Sequence, residues 1–163
     1  MKVVYTSGSW DLLHVGHLNM IRRSRELGDY LVVGVSTDEL IEEYKGMKPI
    51  IPFAERFELV QALRWSDVVV VQHALVPIPL LQEHQVSVVT IGDDWIGKHL
   101  DGLEWMKSHG GEVVYLSYTP GVSTTTIKKK ILDNSFRIID AQLRREAESL
   151  DRWARQSPTP PPQ

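Results

Sequence analysis

At 163 residues with 42% hydrophobic content, the chain carries enough apolar material for one well-buried domain and too little for two ordinary ones. A net charge of -3 argues against a nucleic-acid module, which needs a concentrated basic excess, and the absence of cysteine excludes disulfides and thiolate-bound metal. No stretch approaches the ~20 apolar residues of a membrane span, and MKVVYTSGSWD offers too short an apolar run for a signal peptide. The expectation is a soluble, cytoplasmic protein with no nucleic-acid or membrane partner.

Val3-Val4-Tyr5 reads as a first strand ending at Gly8. Residues 16–27 space Leu18, Ile21 and Leu27 for a helix, with Arg22, Arg23, Arg25 and Glu26 outward and Gly28 as the stop. The run from Tyr30 to Val35 is apolar throughout, as in a strand covered on both faces. The runs Val68–Val71, Val86–Ile91 and Val113–Leu116 repeat that signature, with helical candidates at 53–64, 77–84 and 101–109. Alternation of this kind predicts a Rossmann-like α/β domain with a mainly parallel five-stranded sheet flanked by helices.

Beyond it, Phe136, Ile139, Leu143, Ala147, Leu150 and Ala154 recur at helical steps among charges. They predict an amphipathic C-terminal helix over 133–155, docked on the domain or on a second copy of the chain. Residues 156–163 (QSPTPPPQ) form a proline-rich tail with no capacity to pack, read as disordered, and residues 1–132 form the domain itself.

In parallel sheets, ligands bind beyond the carboxyl ends of the strands. Polar, non-periodic segments fall there in this chain: SGSWD, STDE, GDDW and SYTPGVSTT. In GSWDLLHVGH, Gly8 can supply a tight turn and Gly16 sits where a helix's first turn exposes N–H groups suited to phosphate. His14 and His17, three residues apart, would share a helix face and donate to phosphate oxygens, charged if protonated. Two such histidines could also contribute to a metal site, but neither cysteine nor an HExxH pattern accompanies them, and no metal ligand is assigned.

A second anion site is readable in Tyr118-Thr119-Pro120-Gly121-Val122-Ser123-Thr124-Thr125, where a turn runs into hydroxyl residues that could cap a helix. Between the two, Lys45-Gly46-Met47-Lys48-Pro49 reads as a mobile loop whose ammonium groups could close over a polyphosphate. Arg56 and Arg64 are placed on the following helix. Asp93, Asp94 and Trp95 could meet a base or sugar, hold Mg²⁺, or cap a turn. Together these describe a nucleoside-triphosphate pocket. The pattern GxxxxGK[ST] is absent, so the phosphates would not be held in the P-loop manner.

GSWDLLHVGH resembles the G-[TS]-[FW]-D-x-x-H-x-G-H motif of the cytidylyltransferase-like nucleotidyltransferases of the HxGH superfamily, and YTPGVSTT resembles their closing R-T-x-G-[IV]-S-T-T motif. GDYLVVGVSTDE, the ER-containing helix from Pro52 and IGDDWIGK look most like the glycerol-3-phosphate cytidylyltransferases, and the likeness runs from about residue 2 to residue 132. The resemblance implies transfer of CMP from CTP to a small phosphorylated alcohol, such as glycerol 3-phosphate or another polyol phosphate, with Mg²⁺ as cofactor, pyrophosphate as the second product, and a homodimer.

It also implies residue roles. His14, His17, Lys45, Ser123 and Thr124 would be catalytic. The nucleotide would lie against Gly8, Ser9, Trp10, Gly16, Lys48, Asp94, Tyr118, Thr119, Gly121 and Thr125 as well as those histidines and hydroxyls. The acceptor would meet Asp11, Lys45, Arg56 and Trp95. One departure stands out: Tyr118 occupies the family's arginine position, and tyrosine cannot replace a bidentate cation on phosphate. Three consequences are open. Another cation, Lys128 or Lys48, substitutes; the acceptor or nucleotide differs (a phosphorylated amino alcohol, a phosphonate, or ATP); or the chain is a non-catalytic nucleotide-binding regulator.

Overall fold

A computed structural model describes residues 1–156 of the chain. Most of the proline-rich tail lies outside the described residues. In chain order the elements are β1 (Val3–Gly8), α1 (Val15–Arg25), β2 (Tyr30–Ser36), α2 (Asp38–Lys45), α3 (Phe53–Gln61), β3 (Val68–Gln72), α4 (Ile78–Glu83), β4 (Val88–Gly92), α5 (Asp101–Ser108), β5 (Glu112–Leu116) and α6 (Thr124–Gln156), with a 3-10 turn at Asp93–Trp95. The five strands form one sheet in the order β3-β2-β1-β4-β5, and every pairing is parallel.

Val4 pairs with Leu31 on one side and Val88 on the other, so β1 is the central strand. Its side chains alternate between two cores. Val3, Tyr5, Val32, Val89, Leu103 and Met106 fill one face, and Val4, Ile21, Leu31, Val33, Val60 and Val88 fill the other. Each fully buried aliphatic side chain here contributes roughly 1.5–3 kcal/mol of transfer free energy. The chain builds outward from β1 to β3, then returns to start β4 on the opposite side of β1. That reversal opens a crevice between the carboxyl ends of β1 and β4, where an open α/β sheet takes its ligands.

The sequence reading omits α2. Thr37 caps this helix, accepting from the Leu40 N–H at 3.2 Å, Asp38 and Glu39 occupy its first turn, and Gly46 ends it. Lys45 is therefore the last residue of a helix and not part of a loop, whereas Arg64 lies past the end of α3 with its guanidinium 4.7 Å from the Trp65 ring centroid.

Residues Met1–Thr124 form one compact unit, and a second begins at Thr125. The second is the body of α6. This helix starts at Thr124, earlier than the predicted 133, because TTIKKKILDN contains no helix breaker. Phe136, Ile139, Leu143, Leu150 and Trp153 are exposed along it. Among the described residues, no helix is long and apolar enough to cross a membrane.

Candidate active site

The turn after β1 is built to present two imidazoles. His14 is the N-cap of α1, and its Nδ1 accepts from the Gly16 N–H at 3.1 Å. That bond assigns the proton of the neutral ring to Nε2, which is left as a donor. A Cβ on residue 16 would stand 2.9 Å from the His14 ring, so only glycine admits this cap. The His17 ring stacks on His14 at 3.8 Å between centroids, tilted by 17°.

Trp10 closes the other side of His17, edge-on at 5.4 Å. Its indole N–H donates to the Gly34 carbonyl at 2.9 Å, which locks the wall in place. Trp10 and Leu12 both sit in the left-handed backbone region, at φ 51° and 50°. Each such residue costs of order 1 kcal/mol, the kind of strain held at functional turns.

Burial pushes the His17 imidazolium down to about 3, with the charges of His14 and Lys45 adding to the effect, and desolvation lowers His14 as well. Both shifts favour the neutral form of the rings. The Nδ1 of His17 is buried with no hydrogen-bond partner, a costly arrangement for a polar atom with no task.

Lys45 reaches back from the end of α2 to donate to Ser9 Oγ at 3.1 Å, with its ammonium 5.3 Å from the Tyr44 ring centroid. Lys48 points elsewhere, 3.7 Å from Glu42 in an exposed ion pair, so Lys45 is the loop-side cation at this turn. The closing motif is tied to the first. Thr124 Oγ1 donates to the Asp11 carbonyl at 3.0 Å, and Asn19 Nδ2 donates to Thr119 Oγ1 at 2.9 Å. Gly121 makes the bend between them at φ 75°, and Ser123 directly precedes the helix. Gly8 ends β1 and Thr125 is the second residue of α6. At the end of β4, Asp94 accepts from the Tyr118 hydroxyl at 2.9 Å, while Trp95 lies beside Tyr44 at 6.5 Å and under the Lys98 ammonium at 4.7 Å.

Two residues assigned to the acceptor are structural instead. Asp11 is buried, and its Oδ1 accepts from the N–H groups of Ile50 and Ile51 at 3.0 and 2.9 Å, stapling the segment after α2 to the first turn. Arg56 is fully buried. Its Nε donates to Ile51 O at 2.9 Å, Nη1 to Ser9 O, and Nη2 to Ser36 O at 2.8 Å and Asp38 Oδ1 at 2.6 Å. A guanidinium held in this way braces the ends of β1 and β2. Tyr44 was missed in the sequence. Burial raises its hydroxyl, and its ring lies 6.5 Å from that of Trp95 and 5.3 Å from the Lys45 ammonium.

The first and closing motifs are thus joined beyond the carboxyl end of β1, and the closing motif also meets the turn after β4 through Tyr118 and Asp94. The cytidylyltransferase-like family model matches residues 5–130. The chain belongs to the cytidylyltransferase-like family. Among its relatives, the glycerol-3-phosphate cytidylyltransferase of Staphylococcus aureus is 36% identical over 132 residues, covering 80% of this chain and 96% of that protein. The bifunctional protein HldE of Geotalea uraniireducens is 36% identical over 137 residues, but these are 83% of this chain and only 28% of HldE. The chain therefore spans little more than a quarter of the HldE proteins it resembles. Among solved structures, a lipopolysaccharide core biosynthesis protein from Thermoplasma volcanium aligns at a TM-score of 0.59 with 27% identity, covering 73% of this chain and 97% of that one.

Proposed function

We propose that the chain transfers CMP from CTP to a small phosphorylated alcohol, glycerol 3-phosphate or a related polyol phosphate, and releases pyrophosphate. The observation that carries this reading is the pair of stacked imidazoles of His14 and His17 at a helix N-terminus, beside the Lys45–Ser9 contact. The resemblance of nearly the whole length of a glycerol-3-phosphate cytidylyltransferase supports the acceptor class.

In this mechanism an anionic phosphate oxygen of the acceptor attacks the α-phosphorus of the nucleotide in line. A new P–O bond forms as the bond to the bridging α–β oxygen breaks, and pyrophosphate takes the electron pair. The nucleophile is already ionised, so no general base is needed, and catalysis consists of positioning and charge stabilisation. The His14 Nε2–H donates to the transferring group. His17, stacked on His14, would offer a second imidazole N–H to the same group. Lys45 neutralises charge that builds on the leaving side.

Mg²⁺ fits this donor set as a companion of the triphosphate. No group of three or more His, Asp or Glu side chains able to hold a metal is present among the described residues, and Mg²⁺ commonly keeps its waters and binds through phosphates and one or two carboxylates. Asp93, exposed after β4, is the carboxylate that would join it. When bound, the ion supplies neutralisation of phosphate charge.

The same transfer to a phosphorylated amino alcohol or a phosphonate, or from ATP, is a second reading, favoured by Tyr118 in place of the family's arginine. The test is Mg²⁺-dependent product formation with CTP against a panel of phosphorylated acceptors, the product identified by mass. Formation of a CDP-alcohol from glycerol 3-phosphate supports the first reading, and turnover only with another member of the panel supports the second. We also propose a homodimer in the cytoplasm; a sedimentation mass of one chain across working concentrations would refute the dimer.

A further inference from the structure

Helix α6 carries a pattern that the active site does not use. From Leu132, the apolar residues Phe136, Ile139, Leu143, Leu150 and Trp153 follow at alternating steps of four and three, with Glu146 in the one remaining place. Such alternation is a heptad repeat: Phe136, Leu143 and Leu150 are its a positions, and Leu132, Ile139, Glu146 and Trp153 its d positions. The seam spans about 33 Å of helix at ~1.5 Å per residue. Its six apolar side chains are all exposed. The flanking e and g positions hold Asp133, Ser135, Asp140, Gln142, Ala147 and Ser149, with no lysine or arginine among them. The arginines of α6 stand on the outer face. Two of them pair with carboxylates of the same helix, Arg144 with Asp140 at 3.0 Å and Arg155 with Asp151 at 2.7 Å.

A seam two residues wide per heptad fits one neighbouring helix and is too narrow for a bilayer surface, which takes a broad apolar sector. The unit Met1–Thr124 fills its two cores from residues 3 to 115, and α6 continues to Gln156, past residue 130 where the family match ends. We propose that α6 pairs with α6 of a second copy of the chain as an antiparallel two-helix coiled coil, and that this contact holds the homodimer. The inference rests on the dimer proposed above and names its surface. Glu146 sets the direction. In a parallel, in-register pair each d position faces its own counterpart, so two Glu146 carboxylates would meet in the seam and repel. In an antiparallel pair a positions face d positions, and Glu146 lies against Phe136 or Leu143 instead. Antiparallel pairing also keeps the two lysine runs at 128–130 at opposite ends.

The test uses the full chain, which has no cysteine of its own. Sedimentation equilibrium should give the mass of two chains for wild type. Leu143→Asp puts a charge in the middle of the seam and should weaken the dimer by about a hundredfold or more, as for an uncompensated buried charge. Ile138→Asp puts the same charge on the outer face, where Ile138 is also exposed, and should leave the dimer intact. A thermal melt of each variant establishes that the domain is folded. Under oxidation after subunit exchange, Ile139→Cys mixed with Leu143→Cys or with Leu150→Cys should give disulfide-linked dimers, and Ile139→Cys alone should not. A dimer that survives Leu143→Asp, an equal loss from Ile138→Asp, or cross-linking of Ile139→Cys with itself overturns the proposal and leaves the homodimer standing. A wild type of one chain refutes both, and if it sediments with phosphatidylglycerol vesicles the seam belongs to a membrane surface. Nucleotidyl transfer is measured separately and is untouched by any of these results.

Discussion

Replacing Arg56 by methionine separates two accounts of that residue by their size and their kind. If Arg56 met the acceptor, its loss would raise KM and leave folding untouched. In the structure it is fully buried and donates to three backbone carbonyls and the Asp38 carboxylate. Methionine fills most of the volume but strands those acceptors. Removing one partner of a buried ion pair costs about 3–5 kcal/mol. Asp38 is 26% exposed and can rehydrate in part, which puts the expected loss near the lower end, about 3 kcal/mol. For a domain of this size that lowers Tm by roughly 6–12 °C. Urea denaturation with Arg56→Met, Arg56→Lys and Asp38→Asn is the assay. Arg56→Lys keeps the charge without the fork and should recover only part of the loss. A stability within about 0.5 kcal/mol of wild type, with KM for the acceptor raised, would refute the bracing role.

Further outcomes follow from the same geometry. His14→Ala or His17→Ala should lower turnover by roughly 10²–10³ or more while the protein stays folded, as expected for loss of a charge-stabilising donor; steady-state kinetics checks it. His17 titrates at about 3 in the folded chain against 6.5 unfolded. Between those values the unfolded chain binds the extra proton, so stability is full above 6.5 and falls as pH drops towards 3. One unit below 6.5 the loss from this group is about 1.4 kcal/mol, and His17→Gln should remove it from the pH dependence measured by denaturation. Lys45→Ala should cost turnover more than Lys48→Ala, since Lys45 contacts Ser9 and Lys48 pairs with Glu42; kcat/KM of the two variants decides it.

The valine-rich runs made the parallel sheet legible, because strands covered on both faces leave continuous apolar stretches. The first turn was equally plain, since glycines and histidines at that spacing have few purely structural explanations. Tertiary hydrogen bonds were not legible. The sequence reading places Arg56 at the acceptor, and nothing local to Arg56 reveals that Ser9, Ser36 and Ile51 all present carbonyls to it. Asp11 misled in the same way, because its partners, Ile50 and Ile51, lie some forty residues on. The omission of α2 was avoidable: Thr37 followed by Asp38 and Glu39 is a helix-start signal, and Gly46 a stop. Tyr44 went unseen because its significance lies in standing between Trp95 and the Lys45 ammonium, which requires that helix.

The most direct test of the central claim is Mg²⁺-dependent pyrophosphate release by the wild-type chain and His17→Ala, with CTP or ATP as donor and glycerol 3-phosphate as acceptor. The account predicts release with CTP that requires the acceptor and falls at least a hundredfold in a folded His17→Ala protein. Undiminished release by that variant, or none by wild type with any phosphorylated acceptor while CTP still binds, would contradict it.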